Sequence, residues 1–286
     1  MKSPILKIEN LTYSLNNIKL LDDISFSLNE NETLAVLGHN GSGKSLLIDC
    51  IMGNLKFEGN IENRIKNKNE LGVLYDQFSS IPLLKVGEIL KILEAVYKIE
   101  KENTLVKDLG IEVLKYKFFK VLSKGERKKL GLYASLFFNP KFIILDEPTD
   151  GLDPEFRNLF WEIINQREQT LLLTTHLWEE AVLNFDKIVF IDKGRILNYP
   201  MPFDELKIKM NVTGKVVLEK KTQNLEWFQK FKTLSIENKL FIYFKNDSEK
   251  KEIIDYISRE NKAIENYSVL PLNVKDIYQL LKPKKK

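Results

Sequence analysis

Apolar residues in this chain follow two rhythms. Near the N-terminus, "ILKIENLTYSL" (5–15) and "LLDDISFSLN" (20–29) are short runs rich in β-branched and aromatic residues. The turn-forming "NN" between them predicts two strands joined as a hairpin. "ETLAVLG" (32–38) reads as another strand, "GKSLLIDCIMGNL" (43–55) as a helix, and "LGVLY" (71–75) as a short strand after a polar loop. From about residue 82 to 120 the pattern turns helical. "VGEILKILEAVYKI" (86–99) sets Ile89, Ile92, Leu93 and Val96 at three- and four-residue spacing, predicting one buried helix face.

Three nearly continuous apolar runs follow: "FIILDE" (142–147), "TLLLTTH" (170–176) and "KIVFID" (187–192). Helical patterns over "PEFRNLFWEIINQ" (154–166) and "LWEEAVLN" (177–184) separate them, and "GRIL" (194–197) closes the series. Alternation of this kind predicts an α/β fold with a parallel sheet covered on both faces. Beyond about residue 202, "GKVVLEKK" (214–221), "KLFIYFK" (239–245) and "YSVLPL" (267–272) alternate like strands, and "EKKEIIDYISRENK" (249–262) reads as an amphipathic helix. The expected layout is one domain over residues 1–204, with a helical insert near 78–130, and a small α+β appendage over 205–286. Its final "KPKKK" is expected to be unstructured, with an anionic membrane surface as an alternative role.

Composition narrows the function. Lys and Arg number 44 against 40 Asp and Glu, a net charge of +4, so no general case for nucleic-acid binding arises. The single cysteine, Cys50, excludes an internal disulfide and fits a reducing cytosol. With 2 histidines, chelation by a histidine cluster is excluded. No apolar run approaches the roughly 18 residues that span a bilayer, and "MKSPILKIENLTY" lacks a signal-peptide core. A soluble, intracellular chain is expected, any spanning being left to another chain.

The chemistry begins at "GHNGSGKS" (38–45), a full G-x-x-x-x-G-K-[ST] phosphate loop between a strand and a helix. Glycines let backbone N–H groups turn inward around a phosphate, and the helix N-terminus adds partial positive charge. Gly38, His39, Asn40, Gly41, Ser42, Gly43, Lys44, Ser45 and Leu46 are the candidate nucleotide contacts, with the His39 side chain on the solvent side. Lys44 is assigned to the β- and γ-phosphates and the Ser45 hydroxyl to Mg²⁺. In "FIILDEPTDGLDP" (142–154), Asp146 and Glu147 end an apolar strand at the edge where α/β sheets bind ligands. Asp146 is placed to hold Mg²⁺ and Glu147 to polarise an attacking water; taken alone, such a pair is also an ordinary solvated turn. His176, ending the next strand, is either a capping residue or a γ-phosphate partner on that same edge.

"LSKGE" (122–126), just before the acidic strand, separates this chain from other nucleotide hydrolases. It resembles the ABC ATPase signature, usually LSGGQ. The order of phosphate loop, helical insert, signature, Asp-Glu strand, "GLD" turn and histidine matches that family over residues 5–200. The resemblance implies a P-loop NTPase core of ABC ATPase type: a mixed or parallel sheet, an N-terminal antiparallel β subdomain and a helical insert. It further implies ATP and Mg²⁺ as ligands, and a homodimer or heterodimer in which the signature of one subunit faces the phosphate loop of the other. Ser123 and Gly125 would then bond a γ-phosphate in trans, and Asp153 would lie at the dimer seam. "S-K-G-E" is equally a helix capping box, and one geometry serves both. Lys124 and Glu126 depart from the signature; Glu126 is expected to point toward the ribose or to pair with Arg127 or Lys128.

"LYDQFSSIPLLKV" (74–86) is similar to the loop whose glutamine senses Mg²⁺ and γ-phosphate. Its register leaves Asp76 and Gln77 open, with Gln77 taken as the metal residue. Leu15 falls where the family stacks adenine on an aromatic, and Tyr13 is an alternative. The family implies separate integral-membrane permease subunits, a place on the cytoplasmic face of the membrane, and docking through the helical insert, for which "FSSIPLLKV" (78–86) offers an apolar patch. "NYSVLPLNVKDIYQLL" (266–281) is similar to the tail domain of bacterial exporter ATPases, which points to export. The alternatives are a soluble ABC-type ATPase uncoupled from transport, in DNA repair or translation, and a module that binds ATP but hydrolyses it poorly.

Overall fold

The computed structural model describes residues 4–65, 67–99, 103–219, 226–260 and 267–283. The chain divides into two compact units, Met1–Met201 and Pro202–Lys286.

The first unit opens with the expected hairpin, β1 (Pro4–Leu15) and β2 (Ile18–Asn29). Asn16 and Asn17 both take positive φ (51° and 63°), the conformation that asparagine tolerates best among residues with a side chain. After β3 (Thr33–Leu37) and helix α1 (Lys44–Ile51), a strand the pattern did not predict, β4 (Glu58–Asn63), pairs antiparallel with β1. Its sequence, EGNIEN, is polar and mostly exposed, so it shows no apolar alternation. Helix α1 ends at Ile51, earlier than the pattern suggested, because Gly53 turns the chain at φ 74°.

Next come β5 (Leu71–Leu74), α2 (Val86–Tyr97), α3 (Asn103–Asp108) and α4 (Lys124–Leu136). Helix α2 forms where expected but buries a different face. Val86, Ile89 and Leu90 are buried, whereas Ile92 and Val96 are exposed. Two apolar stripes share this helix, and packing chooses between them: Tyr97 stacks on Phe138 with ring centroids 4.1 Å apart.

The alternating series follows as β6 (Phe142–Asp146), α5 (Pro154–Asn165), β7 (Thr170–Thr175), α6 (Trp178–Asn184), β8 (Lys187–Asp192) and β9 (Arg195–Ile196). The sheet order is β5-β6-β7-β3-β8-β9, parallel except for the β8–β9 pair. Side chains alternate across it. Leu34, Val36, Phe142, Ile144, Leu172, Val189 and Ile191 share one core with Leu47 and Ile48 of α1 and with Leu6, Leu11, Leu21 and Ile24 of the antiparallel sheet. Residues of the opposite face, among them Ala35, Ile143, Leu173 and Phe190, are also buried. Burial on both faces explains the unbroken apolar strands. Cys50 is 1% exposed within this core, and burial pushes its thiol up to about 11. Helix α4 lies close on β5: a Cβ at Gly72 would stand 2.1 Å from the Ser135 carbonyl oxygen.

The second unit holds α7 (Phe203–Met210), β10 (Gly214–Glu219), β11 (Lys232–Ile236), β12 (Lys239–Phe244), α8 (Asp247–Glu260), β13 (Tyr267–Pro271) and α9 (Val274–Leu281). Its antiparallel sheet runs β11-β12-β10-β13, with Val216, Leu218, Ile242, Ile253 and Ile257 among its core. On α9, Asp276 is buried and accepts from Lys215 Nζ (2.6 Å) and Tyr243 Oη (3.1 Å). The expected ends of the 214–221 strand and the 249–262 helix, and most of "KPKKK", lie outside the described residues. Among the described residues no helix is long and apolar enough to cross a membrane.

Candidate functional site

The C-terminal ends of β3, β6 and β7 adjoin in the parallel sheet, so the loops that follow them meet on one edge. The loop after β3 is the glycine-rich segment. Gly41 and Gly43 take φ 77° and 110°. A Cβ at Gly43 would also stand 2.7 Å from Leu21 Cδ2, so conformation and space both demand glycine there. Lys44 begins α1, is 6% exposed, and donates to the carbonyls of Gly38 (2.8 Å) and His39 (3.1 Å). Its Nζ lies 3.0 Å from Glu147 Oε1. Ser42 Oγ is buried with no hydrogen-bond partner among the described residues.

Asp146 closes β6 and is buried. Burial pushes its carboxyl above the usual range, while hydroxyl donors on Thr174 and Ser45 pull the other way. Glu147 follows at φ 46°, left-handed for a residue with a Cβ, at a cost of about 1–3 kcal/mol. Three groups hold it there. Its N–H donates to the Thr174 carbonyl (3.0 Å), its carbonyl accepts from Lys128 Nζ, and its Oε2 accepts from the His176 N–H (3.2 Å). His176 Nδ1 lies 2.8 Å from Oε2 and, facing a carboxylate, carries the proton. His176 Nε2 is 3.7 Å from Asp150 Oδ1. Lys124 pairs with Asp150 at 2.9 Å, and that hydrogen bond holds the Asp150 carboxyl below its ordinary range.

Asn40, Gly41, Gly43, Lys44, Ser45, Leu46, Asp76, Glu147, Asp150 and His176 line a cavity of about 340 Å³, within the range of small-ligand sites. It is not the largest cavity; a polar one near Thr104 and Arg167 is bigger but brings together none of these loops. The structure thus gathers the phosphate loop, Glu147 and His176, with buried Asp146 bonded to Ser45 at its wall. In the open register, Asp76 lines the cavity, whereas Gln77 is exposed and absent from the lining. The histidine of the phosphate loop, His39, is exposed and its ring lies 4.7 Å from that of Trp178.

Ser123, Gly125 and Asp153 stand outside the lining. Ser123 is the exposed N-cap of α4. Its Oγ accepts from the Glu126 N–H (3.2 Å), and Glu126 Oε2 accepts from the Ser123 N–H (2.9 Å), completing the capping box. The Glu126 carboxylate pairs with Lys117 at 2.8 Å, not with Arg127 or Lys128. Arg127 donates instead to the carbonyls of Leu122 and Lys120. Asp153 caps α5 through the Phe156 N–H at 2.8 Å. Tyr13 packs against the core, while Leu15 is exposed.

Sequence reasoning missed Asp150, Thr174 and Lys128. Lys128 had a visible signal. It lies three and four residues before Gly131 and Leu132 on α4, so helical spacing puts it on the buried face.

A phosphate loop at a helix start, a buried aspartate bonded to the loop's Ser45, and a paired glutamate and histidine on one sheet edge are the parts of a nucleoside-triphosphate hydrolase. The donor set fits Mg²⁺, since hydroxyl and carboxylate oxygens suit a hard cation that takes its other ligands from phosphates. The family model described as ABC transporter matches residues 21–150. An uncharacterized ABC transporter ATP-binding protein of Methanocaldococcus jannaschii is 32% identical over 206 residues, 68% of this chain and 77% of that one. The bacitracin transport ATP-binding protein BcrA of Bacillus licheniformis is 31% identical over 221 residues, 72% of each. Among solved structures, cbiO1 from Clostridium perfringens, part of the ABC transporter complex cbiONQ, is 28% identical with TM-score 0.58, covering 73% of this chain and 92% of that one. The chain belongs to the ABC transporter ATP-binding family; it is an ATPase subunit that takes ATP with Mg²⁺.

Proposed function

We propose that this chain forms the ATP-hydrolysing half of an exporter, working on the cytoplasmic face of a membrane beside separate permease subunits, and that its site is completed by a second copy. The carrying observation is the position of Ser123 and Gly125. They stand at an exposed helix start, suited to negative charge, and do not line the cavity of their own chain. A second copy supplies them in trans. Lys44 and the loop N–H groups hold the β- and γ-phosphates, and Glu147, steadied by His176, takes a proton from the attacking water. Ser45 and Asp146 hold Mg²⁺, which neutralises phosphate charge when bound. Transport is supported by the bacitracin transport relative; the outward direction rests on the similarity of residues 266–281 to the tail domain of exporter ATPases, and we assign the second unit as an accessory domain.

The shared site is tested by complementation. Lys44→Ala and Ser123→Arg copies should each be inactive. Mixed in equal amounts, they should regain about a quarter of wild-type turnover, because half the pairs are mixed and each mixed pair holds one intact site. A mixture no more active than its parts defeats the pairing.

We also propose that Asp76, not Gln77, answers the cation and γ-phosphate, since only Asp76 is on the cavity wall. Gln77→Ala should leave kcat near wild type, and Asp76→Ala should lower it about tenfold or more. Steady-state phosphate release against Mg²⁺ concentration decides, and the reverse ranking returns the role to Gln77.

A further inference from the structure

Lys124 and Lys128 stand one helical turn apart on the same face of α4. Both reach the acidic turn that follows β6. Lys124 takes the Asp150 carboxylate at 2.9 Å. Lys128 is 2% exposed; its Nζ donates to the Glu147 backbone carbonyl and pairs with Asp76 Oδ1 at 3.3 Å. Burying an ammonium is unfavourable unless it is paired, and here it is paired with two of the three carboxylate-bearing residues that line the cleft. Glu147 has a left-handed backbone, and its peptide groups set where the carboxylate points. Thr174 fixes the N–H side and Lys128 the carbonyl side. Neither Thr174 nor Lys128 lines the cavity beside the phosphate loop.

We propose that Lys128 is a positioning residue for ATP hydrolysis: it fixes the Glu147 backbone and the Asp76 side chain so that both carboxylates face the cleft. The proposal rests on the reading of Glu147 as the group that activates water. It makes the helix that begins at Ser123 a mechanical link, since movement of α4 against the acidic turn shifts Glu147 directly.

The test is a mutant series on the full chain. Lys128→Met keeps the apolar stem and removes every donor. Its kcat should fall about tenfold to a hundredfold, as for a misplaced catalytic group, while KM for ATP stays near wild type. Lys128→Gln, whose amide again serves the Glu147 carbonyl, should recover much of the loss. In a Glu147→Gln background, Lys128→Met should lower the residual turnover by a clearly smaller factor than in wild type, because only the part that acts through Asp76 is left to lose. A Lys128→Met enzyme at wild-type kcat, or one with the same fractional loss in both backgrounds, overturns the proposal. If Lys128→Met does not fold, the milder Lys128→Gln carries the test. Its loss should shrink when combined with Asp76→Asn, and simple multiplication of the two losses overturns it. Wild-type turnover in Glu147→Gln alone sinks the water-activation reading and this proposal together; an inactive Glu147→Gln beside a fully active Lys128→Met sinks this proposal only.

Discussion

Glu147→Gln is expected to cut steady-state ATP turnover by about 10²–10⁴-fold, the usual worth of a positioned proton acceptor. Binding of ATP should survive. Glutamine has the same size and leaves the phosphate loop and Lys44 in place, losing only the charge that faces Lys44 Nζ at 3.0 Å in the native chain. What is lost is the ability to take a proton from water. ATP that binds but is not cleaved should then hold two copies together, so a paired species should appear on size-exclusion in Mg-ATP and vanish without nucleotide. Phosphate release within a few-fold of wild type would remove Glu147 from the chemistry.

The second large effect is expected at Lys44. Lys44→Ala removes the side chain that reaches the β- and γ-phosphates, and turnover should fall by about 10²–10³-fold or more, as when a preorganised donor is removed. Unlike Glu147→Gln, it should weaken ATP binding as well. It also leaves Glu147 Oε1 buried without its cation, which costs about 1–3 kcal/mol of stability. Melting of the protein in the absence of ATP should therefore drop by several degrees in Lys44→Ala. Adding Glu147→Gln should restore much of that drop, because a neutral amide no longer needs the ammonium. Equal melting of the single and double variants would show that the ion pair contributes nothing to the fold.

Much of this was legible in the chain. The phosphate loop could be read because a strand, a glycine turn and a helix must follow one another within a few residues to cradle a phosphate. Asp146 and Glu147 could be read because an apolar strand ending in two acids has its tip fixed on one edge of a parallel sheet. The polar strand β4 could not, because it pairs through backbone hydrogen bonds with β1 and has little apolar face to display. Helix α2 was legible as a helix but not in its buried face, since Ile92 and Val96 offered a second stripe of equal quality. The choice between Asp76 and Gln77 was invisible for a related reason. Neighbouring residues on a loop point in different directions, and only the pairing of Asp76 with Lys128 decides which one enters the cleft.

By itself, then, the order of residues determined which local units form: a glycine cradle, an acid-tipped strand, a capped helix beginning at Ser123. Each depends on atoms a few positions apart, and short-range sterics and hydrogen bonding suffice. The folded chain decided who meets whom. Lys128 lies 19 residues before Glu147 and 52 after Asp76, yet touches both, and Glu32 pairs with Lys187 across 155 positions. Such meetings come from tertiary packing, of α4 against the sheet for Lys128 and of β3 beside β8 for Glu32, which brings charged groups within reach whatever their distance along the chain.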